Sequence, residues 1–311
     1  MKIVSVDTGN RLIKTPHFSF NAGIVRHGKR PPAIKTDMLY FGGEYFTITE
    51  QRTPYLRDKT VDDTYYLLTL IAIGKELQRL YPNKMLKVDE KVYLAVGLPP
   101  SHLPVYKDSF AQYFLSKGDK IDFQYNDQRF SIEISRVVVY PQGFSAAADI
   151  LEQVKMYPMS YVVDIGGYTT DVVLLSNGKP DMSFCHSFNF GVIHMDNDIK
   201  RVVSAQHDVE LEDAHVEATL MGNGTLPPAI QRTVREEARR YADNLIRNLK
   251  EKNINPAINM LIFIGGGAEL FKDVLSESCP NTIFKDKDGV RANAIGYAKL
   301  ASASMGLPYA G

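Results

Sequence analysis

The sequence predicts an α/β protein built from two related domains. Apolar segments of strand length alternate with helical patterns along its 311 residues, a length that suits two domains. An aspartate stands at the end of an apolar strand and before a glycine turn at two places, Asp7 and Asp164, about half a chain apart. One strand ending in Asp-x-Gly is a weak pattern, and the pair could be a coincidence. Together the two hairpins favour a duplicated domain.

The composition is that of an ordinary soluble globular protein, with 44% hydrophobic and 23% charged residues. Lys+Arg and Asp+Glu are equal at 36 each, which leaves no basic surplus for direct, non-specific DNA binding. The two cysteines, Cys185 and Cys279, form no CxxC pair and argue against a disulfide scaffold or a structural zinc. The chain opens on an apolar strand, and the longest apolar run, residues 65–73, is far short of the ~20 residues of a membrane span. We expect a cytoplasmic protein without membrane contact.

Residues 161–175, YVVDIGGYTTDVVLL, form the segment around which the chain is organised. Val162 and Val163 predict a buried strand, Gly166-Gly167 a tight turn, and residues 172–175 a second strand. Glycine lets backbone N–H groups approach an anion closely, and a carboxylate such as Asp164 beside that anion suits a hydrated Mg²⁺ between them. The alternative is a plain surface hairpin.

The first half of the chain reads as strands interrupted by three helices. Residues 1–6 predict a buried strand, 7–10 a turn and 11–14 a returning strand, and Gly42-Gly43 predicts another hairpin turn. Apolar residues on one face predict a helix over 64–80, which Pro82 stops. The remaining predictions are strands over 92–96, 121–125, 130–134 and 137–140, and helices over 108–115 and 144–154. The strands over 121–125 and 130–134 are expected to pair across a turn at Asn126-Asp127.

The second half continues the alternation. It predicts a strand near 182–186, helices over 193–203 and from Pro227-Pro228, an irregular segment over 208–228, and a short strand over 283–285. A strand over 260–264 runs into Gly265–Gly267 and then a helix, a geometry in which backbone can lie against a nucleotide. The small residues of a last helix, 291–305, predict close packing against the alanines 146–148.

Several chemistries are excluded or disfavoured. The sequence has neither GxxxxGK[ST] nor GxGxxG, and its seven histidines show no HExxH spacing. Asp7-Thr8-Gly9 also spells an aspartic-protease triplet, whose chemistry needs two carboxylates sharing a proton. The candidate second copy at Asp164 lacks the orienting hydroxyl, and the chain is rich in helix, so the protease stays a minor alternative.

The order of these features resembles the actin-like ATPase superfamily, which includes sugar kinases and seventy-kilodalton chaperones. Within it the chain is most similar to the plasmid-segregation actins of the ParM/StbA family. The resemblance is carried by PQGFSAAADIL (141–151), VVDIGGYTTDVVLL (162–175), FGVIHMDNDI (190–199) and FIGGGAELF (263–271). It implies an actin-like, ribonuclease H-like duplicated fold with a nucleotide cleft between the domains. Domain I would span 1–155, with a peripheral subdomain about 20–62, and domain II 156–311, with one about 200–256.

The resemblance also implies roles for individual residues. The first phosphate loop would comprise Asp7, Thr8, Gly9, Asn10 and Lys14, with Lys14 reaching the β-phosphate. The second would comprise Asp164, Gly166, Gly167, Tyr168 and Thr169, and both aspartates would hold Mg²⁺ through water. Gln142 would orient the attacking water, although its amide is a doubtful general base and plasmid actins often carry glutamate there. The adenosine contacts would come from Gly265, Gly266, Gly267, Arg235 and Glu236.

The function implied is ATP-dependent polymerisation, with ADP and Mg²⁺, into filaments that push or position DNA, most simply a plasmid. The partners would be other copies of the chain and a DNA-binding adaptor protein on the plasmid centromere. Residues 146–148 and 294–298 would form the hinge, and residues 21–60 and 208–228 are candidates for the polymer surface. Two alternatives on the same fold stay open: a small-molecule phosphotransferase, for which no DxD substrate loop stands out, and a non-polymerising ATP-gated regulator. The choice between ATP and GTP is also open.

Overall fold

A computed structural model describes residues 1–33, 36–51, 56, 58–83, 86–148, 150–285 and 289–309. The chain forms two compact units, a first unit of Met1–Asp149 with Arg291–Gly311 and a second unit of Ile150–Val290. The last helix therefore lies in the first unit, whereas the sequence analysis placed it in the second domain. The predicted peripheral subdomains stay predictions.

The elements follow one another in the predicted alternation. The strands are β1 (Lys2–Thr8), β2 (Leu12–Lys14), β3 (Ser19–Asn21), β4 (Gly23–Gly28), β5 (Met38–Phe41), β6 (Glu44–Thr49), β7 (Val88–Leu98), β8 (Ile121–Tyr125), β9 (Gln128–Pro141), β10 (Met159–Ile165), β11 (Thr170–Ser176), β12 (Lys179–Phe188), β13 (Met260–Ile264) and β14 (Thr282–Phe284). The helices are α1 (Thr64–Leu80), α2 (Leu103–Leu115), α3 (Leu151–Val154), α4 (Val192–His207), α5 (Asp213–Leu220), α6 (Pro228–Glu251), α7 (Gly266–Leu270), α8 (Lys272–Ser278) and α9 (Ala292–Ser304).

The first unit is built on a sheet with the strand order β3-β2-β1-β7-β9-β8-β5-β6-β4. Strand β1 pairs parallel with β7, β7 pairs parallel with β9, and β2 runs antiparallel to β1. The core of this unit combines apolar residues of β1 and β7 with the buried faces of α1 and α2. Burying β1 on both sides places the end of the strand, and with it Asp7, in the interior of the unit.

The second unit repeats this arrangement. Its sheet has the order β12-β11-β10-β13-β14, which matches β3-β2-β1-β7-β9 strand for strand, with the same antiparallel and parallel pairings. Asp7 is the penultimate residue of β1, and Asp164 is the penultimate residue of β10. The predicted duplication is therefore confirmed at the level of sheet topology, with the two aspartates at equivalent positions.

The sequence predicted helix α1 with its observed bounds, and the turns at Gly42-Gly43 and Asn126-Asp127 are hairpin turns as predicted. The predicted helix over 144–154 is wrong, because residues 145–147 form a single 3₁₀ turn and the α-helical part is limited to α3. The predicted strand over 137–140 is the end of the longer β9, which carries one extra residue, Ser135, in its pairing with β7. The segment 208–228 contains α5 and is not wholly irregular.

Small residues let α9 pack closely on the first unit, as predicted. A Cβ at Gly296 would lie 1.8 Å from the carbonyl oxygen of Ser145, and a Cβ at Gly97 would lie 2.0 Å from the hydroxyl of Tyr297. The hydroxyl of Ser5 on β1 donates to the carbonyl of Ala294 at 2.7 Å. The role of these segments as a hinge stays a prediction. Over the described residues, no helix combines the length and the apolarity that crossing a membrane requires.

Candidate functional site

The carboxylate of Asp7 is the buried charge of the first unit's hairpin, with only 2% of its side chain exposed. The pairing of β1 with β2 sets Lys14 opposite Asp7, and Nζ of Lys14 lies 3.1 Å from Oδ2. Nε2 of Gln142 donates to Oδ1 at 2.8 Å. A buried carboxylate is costly unless it is paired and hydrogen-bonded, and here each oxygen has such a partner. The structure thus brings together three of the predicted site residues.

The orientation of Gln142 is set by its backbone. Strand β9 ends beside β7, and the N–H of Gln142 donates to the carbonyl of Leu98 at 2.9 Å. The next residue, Gly143, has φ +75°, a conformation that glycine adopts without steric cost. Its N–H donates to Oδ1 of Asn293 at the start of α9, at 2.8 Å. Asn293 was missed by the sequence analysis, because nothing in the local sequence connects it to a residue 150 positions away.

The turn between β1 and β2 contains the other predicted residues of the first phosphate loop. A Cβ at Gly9 would lie 2.6 Å from the carbonyl oxygen of Leu12, so the turn requires glycine. Asn10 accepts a hydrogen bond from the hydroxyl of Tyr65 at 2.7 Å. The hydroxyl oxygen of Thr8 is buried and has no hydrogen-bond partner among the residues that the structure describes. Such an oxygen can take a ligand.

Lys59 is a second residue that the sequence analysis missed. It is 6% exposed, its Nζ donates to the carbonyl of Thr8, and it lies 5.2 Å from the centre of the Tyr65 ring. A lysine is rarely buried this far without a specific role. It fixes the backbone of the turn from the interior, and the sequence gives no signal for it, since it stands among charged residues ahead of α1.

The oxygens of this hairpin suit the predicted Mg²⁺ ion. No group of three or more His, Cys, Asp or Glu side chains is placed to hold a metal ion directly, as far as the described residues show. Mg²⁺ normally keeps several waters and is bound by one or two carboxylates together with phosphate oxygens. The carboxylate of Asp7 and the hydroxyl of Thr8 are hard oxygen donors of this kind. Binding through water by Asp7 and Asp164 stays a prediction.

The hairpin of the second unit sits on the start of α4. The N–H of Gly166 donates to the carbonyl of Thr169 at 2.9 Å and closes the turn. The carbonyls of Gly166 and Gly167 accept from the N–H groups of Val192 at 3.0 Å and Ile193 at 2.8 Å. The turn carrying the predicted second phosphate loop is therefore held by backbone contacts.

The two other side chains of this turn face neighbours in the second unit. Thr169 donates from its hydroxyl to Asp171 at 2.9 Å, and the Tyr168 ring lies edge-on to that of His194 at 6.1 Å. Asp171 stands directly opposite Asp164 in the pairing of β10 with β11. The position that Lys14 occupies in the first hairpin is thus taken by an aspartate in the second.

The predicted glycine loop lies against this hairpin. Gly265 has φ +88°, and a Cβ there would lie 2.5 Å from the carbonyl of Ile165 and 2.6 Å from Oδ1 of Asp164. A Cβ at Gly267 would lie 2.2 Å from the Ile165 side chain, whereas Gly266 has nothing within 4 Å. The structure thus brings together the glycine loop and the second phosphate loop, which the sequence analysis connected only by resemblance.

A cavity of about 550 Å³ lies beside α6 in the second unit. Arg235 and Glu236, the predicted ribose contacts, both line it, and Arg239 forms an ion pair with Glu277 at 2.7 Å. The other lining residues are Leu220, Pro228, Arg232, Ala238, Leu270, Phe271, Asp273 and Val274. Six of the twelve lining residues are charged and six are apolar, and a volume of this size suits a small molecule. The glycine loop is outside the lining, but α7 runs from it to Leu270.

Two family models match successive parts of the chain. Residues 29–144 match the N-terminal domain of actin-like proteins, and residues 162–277 match the C-terminal part of archaeal MreB-like actin homologues. Among curated proteins, the archaeal actin homologues of Thermoplasma volcanium and Thermoplasma acidophilum are each 28% identical over 186 residues. These matches cover 55% of this chain and only 56% of either relative.

Solved structures match nearly the whole chain. The archaeal actin homologue Ta0583 in complex with ADP has a TM-score of 0.70 at 17% identity and covers 97% of this chain and 100% of its own. Apo pSK41 ParM has a TM-score of 0.73 at 18% identity, with 98% of each chain covered. The Alp12 filament structure has a TM-score of 0.68 at 19% identity, covering 98% and 100%. These structures show that the chain has the actin-like fold. The two family models show that its two halves are each similar to part of an actin-like protein.

Proposed function

We propose that this chain binds and hydrolyses ATP, assembles into filaments in the ATP state and positions DNA, most simply a plasmid. The observation that carries the proposal is a repeated acidic hairpin. It occupies the same place in the five-stranded sheet of the second unit and in the matching five strands of the first unit's sheet. A duplicated pair of carboxylates, each next to a glycine turn, suits a phosphate chain neutralised by a divalent cation.

The cavity beside α6 is the proposed place of the base and ribose. Arg235 and Glu236 offer charged groups, while the half-buried Leu270 and Val274 offer apolar surface for a ring. The glycine loop starts against Asp164 and leads through α7 to the cavity, so one short segment connects the two parts of a nucleotide site. The similarity to Ta0583, whose structure was solved in complex with ADP, supports the same ligand class here.

The chemistry proposed for the first unit is the orientation of a water molecule. Because Nε2 of Gln142 is committed to Asp7, the carbonyl oxygen of the amide is the end that can accept a hydrogen bond from water. Lys14 balances the carboxylate and offers a cation to phosphate oxygens. Bound Mg²⁺, held through water by Asp7 and Asp164, would supply neutralisation of the phosphate charge. Gln142 orients water and is not a base, so slow hydrolysis is expected.

Assembly is proposed from the family rather than from a particular surface. Contacts that repeat head to tail without closing a ring generate an open filament. The Alp12 match, which is itself a filament structure, supports this mode of association. With a formal net charge of zero, the chain is proposed to reach DNA through an adaptor protein bound to the centromere.

Sedimentation and light scattering test the proposal. We expect pelletable filaments above a critical concentration with Mg-ATP or a non-hydrolysable analogue, and disassembly once ATP is converted to ADP. Gln142→Ala is the matched variant. If its filaments form normally but do not disassemble, assembly requires ATP binding and disassembly requires hydrolysis. If the protein hydrolyses ATP but stays monomeric at high concentration with every nucleotide, the filament proposal is wrong. The phosphotransferase or the ATP-gated regulator then takes its place.

A further inference from the structure

The turn that carries the second hairpin's glycines rests on residues 190–191. A Cβ at Gly191 would lie 2.4 Å from the carbonyl oxygen of Gly167, so the backbone of Gly191 lies directly against the turn. The hydroxyl of Thr170, at the start of β11, donates to the carbonyl of Phe190. A shift of residues 190–191 is therefore expected to reach the hairpin, since one contact joins two backbone segments and the other joins the Thr170 hydroxyl to the Phe190 carbonyl.

Tyr241 of α6 holds the same two residues from the other side. Its hydroxyl donates to the carbonyl of Gly191 at 2.8 Å, and its ring stacks on that of Phe190 with the centroids 3.9 Å apart. Tyr241 is 8% exposed, and burial raises the pKa of its hydroxyl. Burial therefore favours the neutral form of the hydroxyl, which is the form that donates to Gly191.

The other side of Tyr241 leads to the α6 cavity. Its ring also stacks on Phe271, with the centroids 5.9 Å apart and the planes within 20°. Phe271 lines the cavity, as does Ala238, which precedes Tyr241 by one turn of α6. A continuous row of packed rings, Phe190, Tyr241 and Phe271, thus runs from the hairpin to the wall of the cavity.

We propose that Tyr241 is a positioning residue that couples occupancy of the α6 cavity to the geometry of the Asp164 hairpin. The inference rests on the proposed function, because it takes the cavity as the place of the base. A ligand in the cavity restrains the wall in which Phe271 is buried, and with it the row of rings. The hydroxyl of Tyr241 passes this restraint to Gly191 and the turn. The plainer reading is a core tyrosine that satisfies one carbonyl, and it predicts no connection between cavity and hairpin.

Tyr241→Phe tests the inference, because it removes one hydroxyl and keeps the stacked ring. Tyr161→Phe is the matched control, since Tyr161 is also buried in the same unit but packs on Phe184, and neither residue lines the cavity. The measurement is amide hydrogen exchange over residues 164–170, with and without adenosine. Adenosine has no phosphate, so protection of the hairpin by adenosine must be transmitted through the protein.

We expect adenosine to slow exchange of the hairpin in the wild-type protein and in Tyr161→Phe, and to lose most of this effect in Tyr241→Phe. Loss of a hydrogen bond of ordinary strength corresponds to a roughly 2- to 12-fold change in the exchange rate of the hairpin. The kcat for ATP is expected to fall by the same factor, while KM stays within about twofold of the wild-type value. A loss of stability alone would not lower kcat selectively over KM. It would also not remove the protection of the hairpin by adenosine.

Four results would overturn or separate the claims. If adenosine binds but leaves the wild-type hairpin unprotected, or if Tyr241→Phe responds like the control, the coupling is absent. If Tyr241→Phe speeds exchange equally throughout the second unit, Tyr241 is only a core residue. If the wild-type protein binds neither adenosine nor ATP, the proposed function fails. Exchange in the ligand-free proteins then still decides whether the hydroxyl holds the turn, because only Tyr241→Phe should speed exchange of the hairpin.

Discussion

Gln142 donates a hydrogen bond from Nε2 to Oδ1 of Asp7 over 2.8 Å, although the two residues are 135 positions apart in the chain. The contact joins the end of β9 to the hairpin that follows β1. It also decides which end of the amide faces Asp7, because a carboxylate can only accept a hydrogen bond and the amide nitrogen is the donor. The chemistry expected of Gln142 therefore depends on Asp7, which fixes the orientation of the amide.

Gln142→Ala should reduce ATP turnover with little effect on nucleotide binding. Removing the group that orients water typically costs ~10²–10⁴ in rate, whereas ground-state contacts to the nucleotide are proposed for the hairpins and the α6 cavity. Single-turnover phosphate release and calorimetric titration with a non-hydrolysable analogue measure the two quantities. Gln124→Ala is the control, because Gln124 lies on β8 and its amide donates to the carbonyl of Asn126 in the adjoining turn at 2.8 Å. Undiminished turnover in Gln142→Ala would transfer the role to another residue.

Asp164→Asn should weaken the Mg²⁺ dependence of ATP binding or abolish hydrolysis while leaving the fold intact. The substitution keeps the volume that packs against Gly265 and removes the charge proposed to bind the hydrated ion. Asp181→Asn is the control, because Asp181 lies on β12 of the same unit and accepts from the N–H of Ser183 at 3.0 Å. Titration with ATP at varied Mg²⁺ is the measurement. Wild-type affinity together with wild-type turnover would remove Asp164 from the metal site.

Lys59→Met should lower the free energy of unfolding by about 1.5–3 kcal/mol, the usual contribution of a hydrogen bond to a charged group. The carbonyl of Thr8 loses this donor, and the turn after β1 loses its interior support. Lys59→Arg should recover part of the loss, because it keeps the charge and the donors. Urea denaturation gives the free energies, with the exposed Lys120→Met as a control that should show no measurable change. Equal stability of Lys59→Met and wild type would show that the buried lysine is unimportant for the turn.

Gly296→Ala should destabilise the first unit by about 3 kcal/mol or more, at or beyond the upper end of ordinary overpacking. The new methyl group would lie 1.8 Å from the carbonyl oxygen of Ser145, and a backbone atom cannot move aside as a flexible side chain can. Ala303→Ser adds an atom to the exposed face of the same helix and should leave the free energy nearly unchanged. Thermal and urea unfolding provide the comparison. A stable Gly296→Ala protein would mean that α9 does not pack on residues 145–147.

Features that depend on residues close together in the chain could be predicted from the sequence. The 3.6-residue periodicity and Pro82 gave α1 its bounds, and paired glycines or asparagine gave the hairpin turns. An aspartate at the end of each of two apolar strands was enough to predict a duplicated domain. Strands and turns can be predicted in this way because both depend on residues that are neighbours in the sequence. The resemblance added the actin-like family and the candidate residues.

Features that depend on contacts between residues far apart in the chain could be found only in the folded structure. Alanines 146–148 favour a helix by propensity, yet residues 145–147 form one 3₁₀ turn against Gly296, because packing overrides a preference worth only tenths of a kcal/mol per residue. The last helix belongs to the first unit because Ala294 accepts from Ser5, 289 positions earlier. Lys59 and Tyr241 are ordinary residues in the sequence, and their contacts with Thr8 and Gly191 arise only when separate elements are brought side by side.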